Sequence, residues 1–227
     1  LIQYPPMKKG TSYTVPTNVK MIDNDAFCRC NSLSSITLPA NITIIGYNAF
    51  YKCSSLSSIN IPANVTSINS QAFAGCKKLE EITVSSLNLH FKSVDGVLFN
   101  KDGSKLIRYP PMKKGTSYTV PTNVTSINYY AFYKCNSLSS ITLPANIISI
   151  KGGAFKGCKK LEEIIVSSPN SYLKSIDGVS YDEAGNILIP YQIREKKNLT
   201  EKLDELWIFL IIKEIKNIFK MCIFFFF

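Results

Sequence analysis

The sequence predicts a repeat solenoid built of stacked 23-residue coils. Ala-Phe pairs fall at Ala26-Phe27, Ala49-Phe50, Ala72-Phe73, Ala131-Phe132 and Ala154-Phe155, in steps of 23, 23, 59 and 23. Three more markers keep the same register: Pro16, Pro39, Pro62, Pro121 and Pro144; Cys30, Cys53, Cys76, Cys135 and Cys158; Leu33, Leu56, Leu79, Leu138 and Leu161. A fixed period of this length marks a repeat architecture. A composition 45% hydrophobic and 19% charged excludes a disordered chain of 227 residues.

Each element follows from one unit. In Leu33-Ser34-Ser35-Ile36-Thr37-Leu38-Pro39, the leucines and Ile36 point inward while Ser35 and Thr37 point out, the alternation of a half-buried strand. Pro39 lacks an N–H for a ladder and ends that strand. Ala40-Asn41 turns the chain, and Ile42-Thr43-Ile44-Ile45 reads as a second short extended piece. Ala49, Phe50, Cys53 and Leu56 then fall at i, i+1, i+4 and i+7, which predicts a helical turn. No unit can bury its apolar side alone. Stacking buries a continuous core and pairs neighbouring strands in parallel, about 4.8 Å apart.

The step of 59 is 23 plus 36, so an insertion runs from about residue 85 to 120. It holds Val97-Leu98-Phe99, a turn at Asn100-Lys101-Asp102-Gly103, and Lys105-Leu106-Ile107. Asp-Gly between apolar runs predicts a hairpin. A second hairpin is expected at about 167–191, where Asp177-Gly178-Val179 matches Asp95-Gly96-Val97. Residues 1–19 repeat residues 106–124 except that Gln3 stands for Arg108, a near-identity that implies duplication. The start then falls midway through a hairpin, so the chain is expected to be a fragment of a longer array; the missing signal-peptide pattern carries little weight.

The Leu-x-x-Ile-x-Leu pattern resembles a leucine-rich repeat. More narrowly, residues 64–84 (NVTSINSQAFAGCKKLEEITV) look like the BspA-like, or treponemal-type, leucine-rich repeat. Residues 95–121 (DGVLFNKDGSKLIRYPPMKKGTSYTVP) look like the interruption seen between such repeats. The resemblance covers about residues 1–191. It implies a leucine-rich-repeat-like solenoid of short parallel strands plus helical turns, interrupted by β-hairpin insertions. It also implies a large cell-surface or secreted protein, adhesin-like, that binds a protein or glycan partner. Fold-level likeness is an associational warrant for function. The alternative is a cytoplasmic interaction scaffold using the same surface, which free cysteines would suit.

The outward rows of the first strand are the candidate ligand-binding face: Ser35 and Thr37, Ser58 and Asn60, Glu81 and Thr83, Ser140 and Thr142, and Glu163 beside Ile165. A hydroxyl- and amide-rich sheet with few charges suits hydrogen bonding to protein or carbohydrate; a generic solvated face is an equal alternative. The cysteine column reads as one small hydrophobe per coil rather than disulfides or a metal ladder. Cys28-x-Cys30 has no second pair and is not a zinc spacing. Lys77-Lys78-Leu79-Glu80-Glu81, repeated at 159–163, reads as a solvated face with local ion pairing. Tyr4-Pro5-Pro6-Met7-Lys8-Lys9 and its copy at 109–114 read as an exposed stiff segment, most simply the return loop of the hairpin. The sequons at Asn41, Asn64, Asn123 and Asn198 would carry glycans in a secreted eukaryotic protein, although a turn explains the first three.

Catalysis is not expected. His90 is the sole histidine and lies in no triad pattern, no Gly-rich phosphate loop is present, and a turn explains Asp95, Asn100 and Asp102 better than calcium does. No cofactor and no metal are implied. The net charge of +10 favours acidic partners, but a solvated lysine-rich surface is the simpler reading and no nucleic acid is expected. Residues 192–227 leave the repeat register. Lys213, Glu214, Lys216 and Lys220 interrupt their apolar stretch, so a membrane span, an interfacial helix and a non-native tail all stay open.

Overall fold

A computed structural model describes residues 10–167 in full and, beyond them, the backbone of four short strands. In chain order the strands are β1 (Ser12–Thr14), β2 (Met21–Ile22), β3 (Ser35–Thr37), β4 (Ile44–Ile45), β5 (Ser58–Ile61), β6 (Ser67–Ile68), β7 (Glu81–Val84), β8 (Phe91–Val94), β9 (Val97–Asn100) and β10 (Lys105–Arg108). There follow β11 (Ser117–Thr119), β12 (Ser126–Ile127), β13 (Ser140–Leu143), β14 (Ser149–Ile150), β15 (Glu163–Ser167), β16 (Lys174–Ile176), β17 (Val179–Tyr181), β18 (Ile187–Ile189) and β19 (Ile193–Lys196).

The coils stack in register. The first strand of each coil pairs in parallel with its neighbour, as in β1–β3, β5–β7 and β11–β13–β15–β19, and Ser12 lies opposite Ser35 just as Ser58 lies opposite Glu81. The N–H of Ser57 donates to Ser34 O at 3.2 Å and carries the stack from β3 to β5. A second column follows the turn after the proline: β2–β4–β6 in one block and β10–β12–β14 in the other, again all parallel. The expected strands, and the end at proline, hold.

The third side of each coil is not helical. Among the described residues there is no helix; residues 23–33 and their equivalents form consecutive turns. In three of these coils two non-glycine positions adopt the left-handed conformation: Asp25 and Arg29 at φ 57° and 60°, Asn48 and Lys52 at 52° and 57°, Tyr130 and Lys134 at 56° and 59°. Left-handed residues break an α-helix. The hydrogen bonds show what replaces it. The N–H groups of Ala26 and Cys28 donate within their own coil, to Asp23 O and Asp25 O, whereas those of Asp25, Phe27 and Arg29 donate to Tyr47 O, Ala49 O and Tyr51 O of the next coil. The neighbouring coil takes the donors that a helix would have satisfied internally.

The insertion divides the stack into a first block (residues 10–85) and a second (105–167). β8, β9 and β10 form an antiparallel sheet, with Asp95-Gly96 at the β8–β9 turn and Asp102-Gly103 within the β9–β10 turn. Its strands are shared between two cores: Leu98 and Ile107 pack into the first block, Val97, Phe99 and Leu106 into the second. Alternation along each strand sends successive side chains to opposite faces, so the hairpin joins the blocks as a two-sided wall. β16, β17 and β18 form a second antiparallel sheet where a second hairpin is expected. β19 extends the first-strand column past residue 191 by pairing with β15. The rest of the tail lies outside the described residues.

Both cores are columns of like on like. Phe27, Phe50 and Phe73 stack at 5.2 and 5.6 Å between ring centroids, nearly parallel, and Tyr109, Phe132 and Phe155 do so at 5.2 and 5.0 Å. Tyr109 thus occupies the phenylalanine position of its coil. Together with buried Pro110 and Pro111 it belongs to the core, which corrects the reading of an exposed diproline segment; only from Met112 onward does this stretch reach solvent. The earlier copy, at residues 4–9, lies outside the described residues.

None of the six described cysteines forms a disulfide. The column members are buried, and four of the five donate their S–H to the carbonyl of the preceding aromatic layer: Cys53 to Phe27 O at 2.9 Å, Cys76 to Phe50 O at 3.0 Å, Cys158 to Phe132 O at 2.9 Å, and Cys135 to Tyr109 O at 3.7 Å. Burial pushes the Cys76 thiol up to about 12, so it stays protonated and able to donate at neutral pH.

The sequons are explained by the same stacking. Asn41 and Asn64 donate from Nδ2 to Thr17 O and Ala40 O at 2.6 and 2.9 Å, and Asn123 donates to Asp102 O at 3.3 Å. Two residues on, Thr43, Thr66 and Thr125 donate from Oγ1 to Lys20 O, Thr43 O and Ser104 O. Asn-x-Thr recurs because both side chains bond the previous coil. Asn198 lies outside the described residues.

Candidate functional site

Parallel pairing places the predicted rows side by side. Ser35, Thr37, Ser58, Asn60, Glu81 and Thr83 are all exposed, on strands whose intervening Ile36, Ile59 and Ile82 are buried. Asn60 and Thr83 meet through a side-chain hydrogen bond of 3.1 Å. In the second block Ser140, Thr142 and Glu163 take the same places but are half-buried, with Ser140 opposite Glu163 and Thr142 opposite Ile165. The insertion separates the two groups, so the predicted residues form two faces rather than one row.

The rows are longer than the sequence reading made them. Ser12 and Thr14 pair with Ser35 and Thr37, and Ser117 and Thr119 with Ser140 and Thr142. Their units lack the marker leucine, which hid them. Ser-Tyr-Thr standing 23 residues before Ser-Ile-Thr was the available signal.

The sheet of the first block ends in a cleft of about 680 Å³ lined by Ser57, Ser58, Glu80, Glu81, Asp95, Gly96, Lys113 and Lys114. Three pieces of chain build it. β7 supplies Glu81 and its approach supplies Glu80. The β8–β9 turn is held against β7 by two bonds: the N–H of Ile82 donates to Gly96 O at 2.9 Å, and Ser93 Oγ donates to Ile82 O at 2.6 Å. Gly96 has φ +73° and approaches so closely that a Cβ there would stand 3.0 Å from the Cβ of Glu81. Asp95-Gly96 is therefore required both for the turn and for the fit. The return loop closes the other side: the N–H of Met112 donates to Leu79 O at 2.9 Å, and Lys113 Nζ meets Asp95 Oδ2 at 2.7 Å.

That ion pair joins a largely buried lysine (15% exposed) to an open carboxylate (82%). Solvent screening leaves it a modest contribution to stability, but it fixes the cleft wall. The cleft then presents carboxylates from Glu80 and Glu81, an ammonium from Lys114 and hydroxyls from Ser57 and Ser58, all on backbone anchored by neighbouring coils. Such a surface can hydrogen-bond and ion-pair with a polar ligand. Sequence reasoning found Ser58 and Glu81 but missed Asp95, Lys113 and Lys114, which come from distant points of the insertion. Lys77 and Lys78 of the repeated charge motif are exposed, and Glu80 and Glu81 of the same motif line the cleft. His90 is exposed. Among the described residues no group of three or more His, Cys, Asp or Glu side chains is placed to hold a metal, and no helix is long and apolar enough to cross a membrane.

Comparison with known proteins agrees with this geometry. Residues 7–111 and 111–222 match the profile of the BspA type leucine rich repeat region, in six copies. The chain is similar in structure to the pneumococcal vaccine antigen PcpA, with 30% identity, a TM-score of 0.63, and coverage of 67% of this chain and 38% of that one. It is also similar to a leucine rich cell surface protein of Faecalibacterium prausnitzii, with 25% identity, a TM-score of 0.60, and coverage of 83% and 60%. A leucine-rich repeat protein of Eubacterium ventriosum, at 24% identity and a TM-score of 0.54 over 70% and 56%, shares the fold. The chain thus spans less than two thirds of the length of each of these relatives. No curated protein matches it.

Proposed function

Since the chain belongs to the BspA-type leucine-rich-repeat family, we propose that it acts as a non-enzymatic, adhesin-like binding module at a cell surface. It engages a protein or glycan partner through the first block's sheet face and the adjoining cleft. The observation that carries the reading is the cleft itself. An ordered polar sheet ends against a turn that adds a carboxylate and a return loop that adds two lysines, and backbone hydrogen bonds tie these pieces together. Prearranged polar groups lower the ordering cost of binding. The similarity to a vaccine antigen and to a cell surface protein supports the location.

The test is binding of the whole chain to immobilised extracellular-matrix proteins and to a panel of neutral and acidic glycans. Ser58, Asn60, Glu81 and Thr83 changed together to lysine should abolish capture of the partner while leaving the circular dichroism spectrum intact. Undiminished capture by that variant would show that the face is wrongly assigned. Labelling of intact source cells with a membrane-impermeant reagent tests the location: protection of the protein would favour the intracellular scaffold.

A further inference from the structure

Charge is unevenly divided along the stack. Residues 10–85 hold five Lys or Arg against four Asp or Glu, whereas residues 105–167 hold nine against two. Four of these nine, Arg108, Lys134, Lys151 and Lys156, fall with aromatic rings on the turn side of the second block.

Tyr129 is 48% exposed, and Tyr130 and Tyr133 are half-buried beside it. The rings of Tyr130 and Tyr133 meet edge to face at 5.6 Å, and Lys134 Nζ lies 5.2 Å from the centre of the Tyr133 ring. The next coil is cut back to receive them. Gly152 and Gly153 stand 23 residues after Tyr129 and Tyr130, and a Cβ on Gly153 would lie 2.8 Å from Cε1 of Tyr130. Exposed Lys151 precedes this glycine pair, and exposed Lys156 falls in the register of Tyr133; the N–H of Lys134 donates to Lys156 O at 3.0 Å.

Beneath this platform lies Arg108, 2% exposed, where other coils carry alanine. Its guanidinium donates to Tyr130 O at 2.5 Å and to Tyr133 O at 3.3 Å, while Nε has no partner. Among the described residues no carboxylate pairs with it. A buried, uncompensated cation is unfavourable, and the duplicated segment has neutral Gln3 at the same place. Here the cation holds the two tyrosine carbonyls from below and adds positive potential under the rings.

We propose that this turn face binds an acidic polysaccharide. The C–H faces of its sugar rings lie on Tyr129 and its neighbours, and its sulfate or carboxylate groups meet Lys134, Lys151 and Lys156. The coil spacing of about 4.8 Å is close to the rise of one pyranose along a polysaccharide, so cations on successive coils address successive sugars. The equivalent turn of the first coil carries Asp23 and Asp25, which would repel such a chain.

The test measures binding of the full chain to a heparin-derived octasaccharide by calorimetry at two salt concentrations. Lys134→Glu with Lys156→Glu should weaken binding at least about tenfold and flatten its salt dependence. Tyr129→Ala should weaken it roughly fivefold with the salt dependence unchanged. Lys77→Glu with Lys78→Glu, in the first block, should leave it unaltered. Absence of octasaccharide binding overturns the proposal. So does equal affinity for a single-stranded oligonucleotide of the same charge with no effect of Tyr129→Ala, which is the behaviour of a general polyanion surface. Neither outcome touches the sheet face, whose partner is tested by its own variant.

Discussion

The coils of residues 10–85 and those of residues 105–167 share one repeat but are closed differently. In the first block every aromatic layer is phenylalanine, every thiol layer is cysteine, and opposite charges nearly balance. The second block begins with an insertion strand in place of a coil's second strand. Tyr109 stands in the phenylalanine column, Arg108 in the alanine column and Met112 at the cysteine position. A solenoid tolerates such a layer because each coil answers only to its neighbours. What the layer gives up in uniformity it returns as a cleft on one side and a basic aromatic platform on the other.

The largest way to break the comparison is through the stacks. Phe50→Ala removes a ring held between two others and should destabilise the first block by about 4 kcal/mol. Phe132→Ala should do the same in the second. Because the two cores are distinct clusters, hydrogen exchange should accelerate mainly in the block that carries the change; uniform acceleration in both would show that they unfold as one unit.

Next is the joint between the blocks. Asn88 is fully buried (0% exposed) and its side chain makes four hydrogen bonds. Nδ2 donates to Pro62 O and Val65 O at 2.8 and 2.9 Å, and Oδ1 accepts from the N–H groups of His90 and Phe91 at 2.8 Å each. Asn88→Ala should lower stability by about 3 kcal/mol, against about 1 kcal/mol for Asn64→Ala, which loses a single bond. Chemical denaturation of the two variants checks the ratio.

A smaller effect is alkaline. Cys76 is raised from its ordinary 9.0 to about 12 by burial. The unfolded thiol therefore ionises first, and the stability this group contributes is complete below pH 9 and lost as pH rises from 9 toward 12. At pH 10 the loss should be roughly 1 to 2 kcal/mol, and Cys76→Ala should flatten that limb of the stability profile.

The smallest concerns the left-handed turns. Lys52 has φ 57°, and Gly75 holds the equivalent place one coil on with φ 81°. Lys52→Gly should stabilise the fold by roughly 0.5 kcal/mol, and Gly75→Ala should destabilise it by roughly 1 kcal/mol. Its added Cβ would also stand 3.0 Å from Lys52 Cγ. Equal thermal midpoints for the two would show that these turns relax freely.

Much of this was legible in the residues. The five marker columns assign Phe50, Phe73 and Leu79 to inner tiers, and all three are buried. Both Asp-Gly pairs of the insertion sit in hairpin turns. The helical turn was misread because Ala49, Phe50, Cys53 and Leu56 have helical spacing whether their backbone bonds run within one coil or to the next. Gly75 and Gly157, each just before a column cysteine, and Asn48 and Asp25 before an alanine were the signs of left-handed backbone. The separation of the candidate face into two parts could not be read, since the repeat register does not say where the insertion lies relative to the sheet.

By itself the sequence determined the period, the residues that share a column and the side of each strand that faces water, because identical spacing and alternation allow a single stacking register. Only the tertiary structure decided which backbone donors look to their own coil and which to the next, because the acceptors exist only once coils are stacked. It alone brought Asp95 to Lys113 across the insertion and set Arg108 beneath Tyr130 and Tyr133, contacts between residues whose spacing follows no repeat and whose chemistry shows no pairing until the chain is folded.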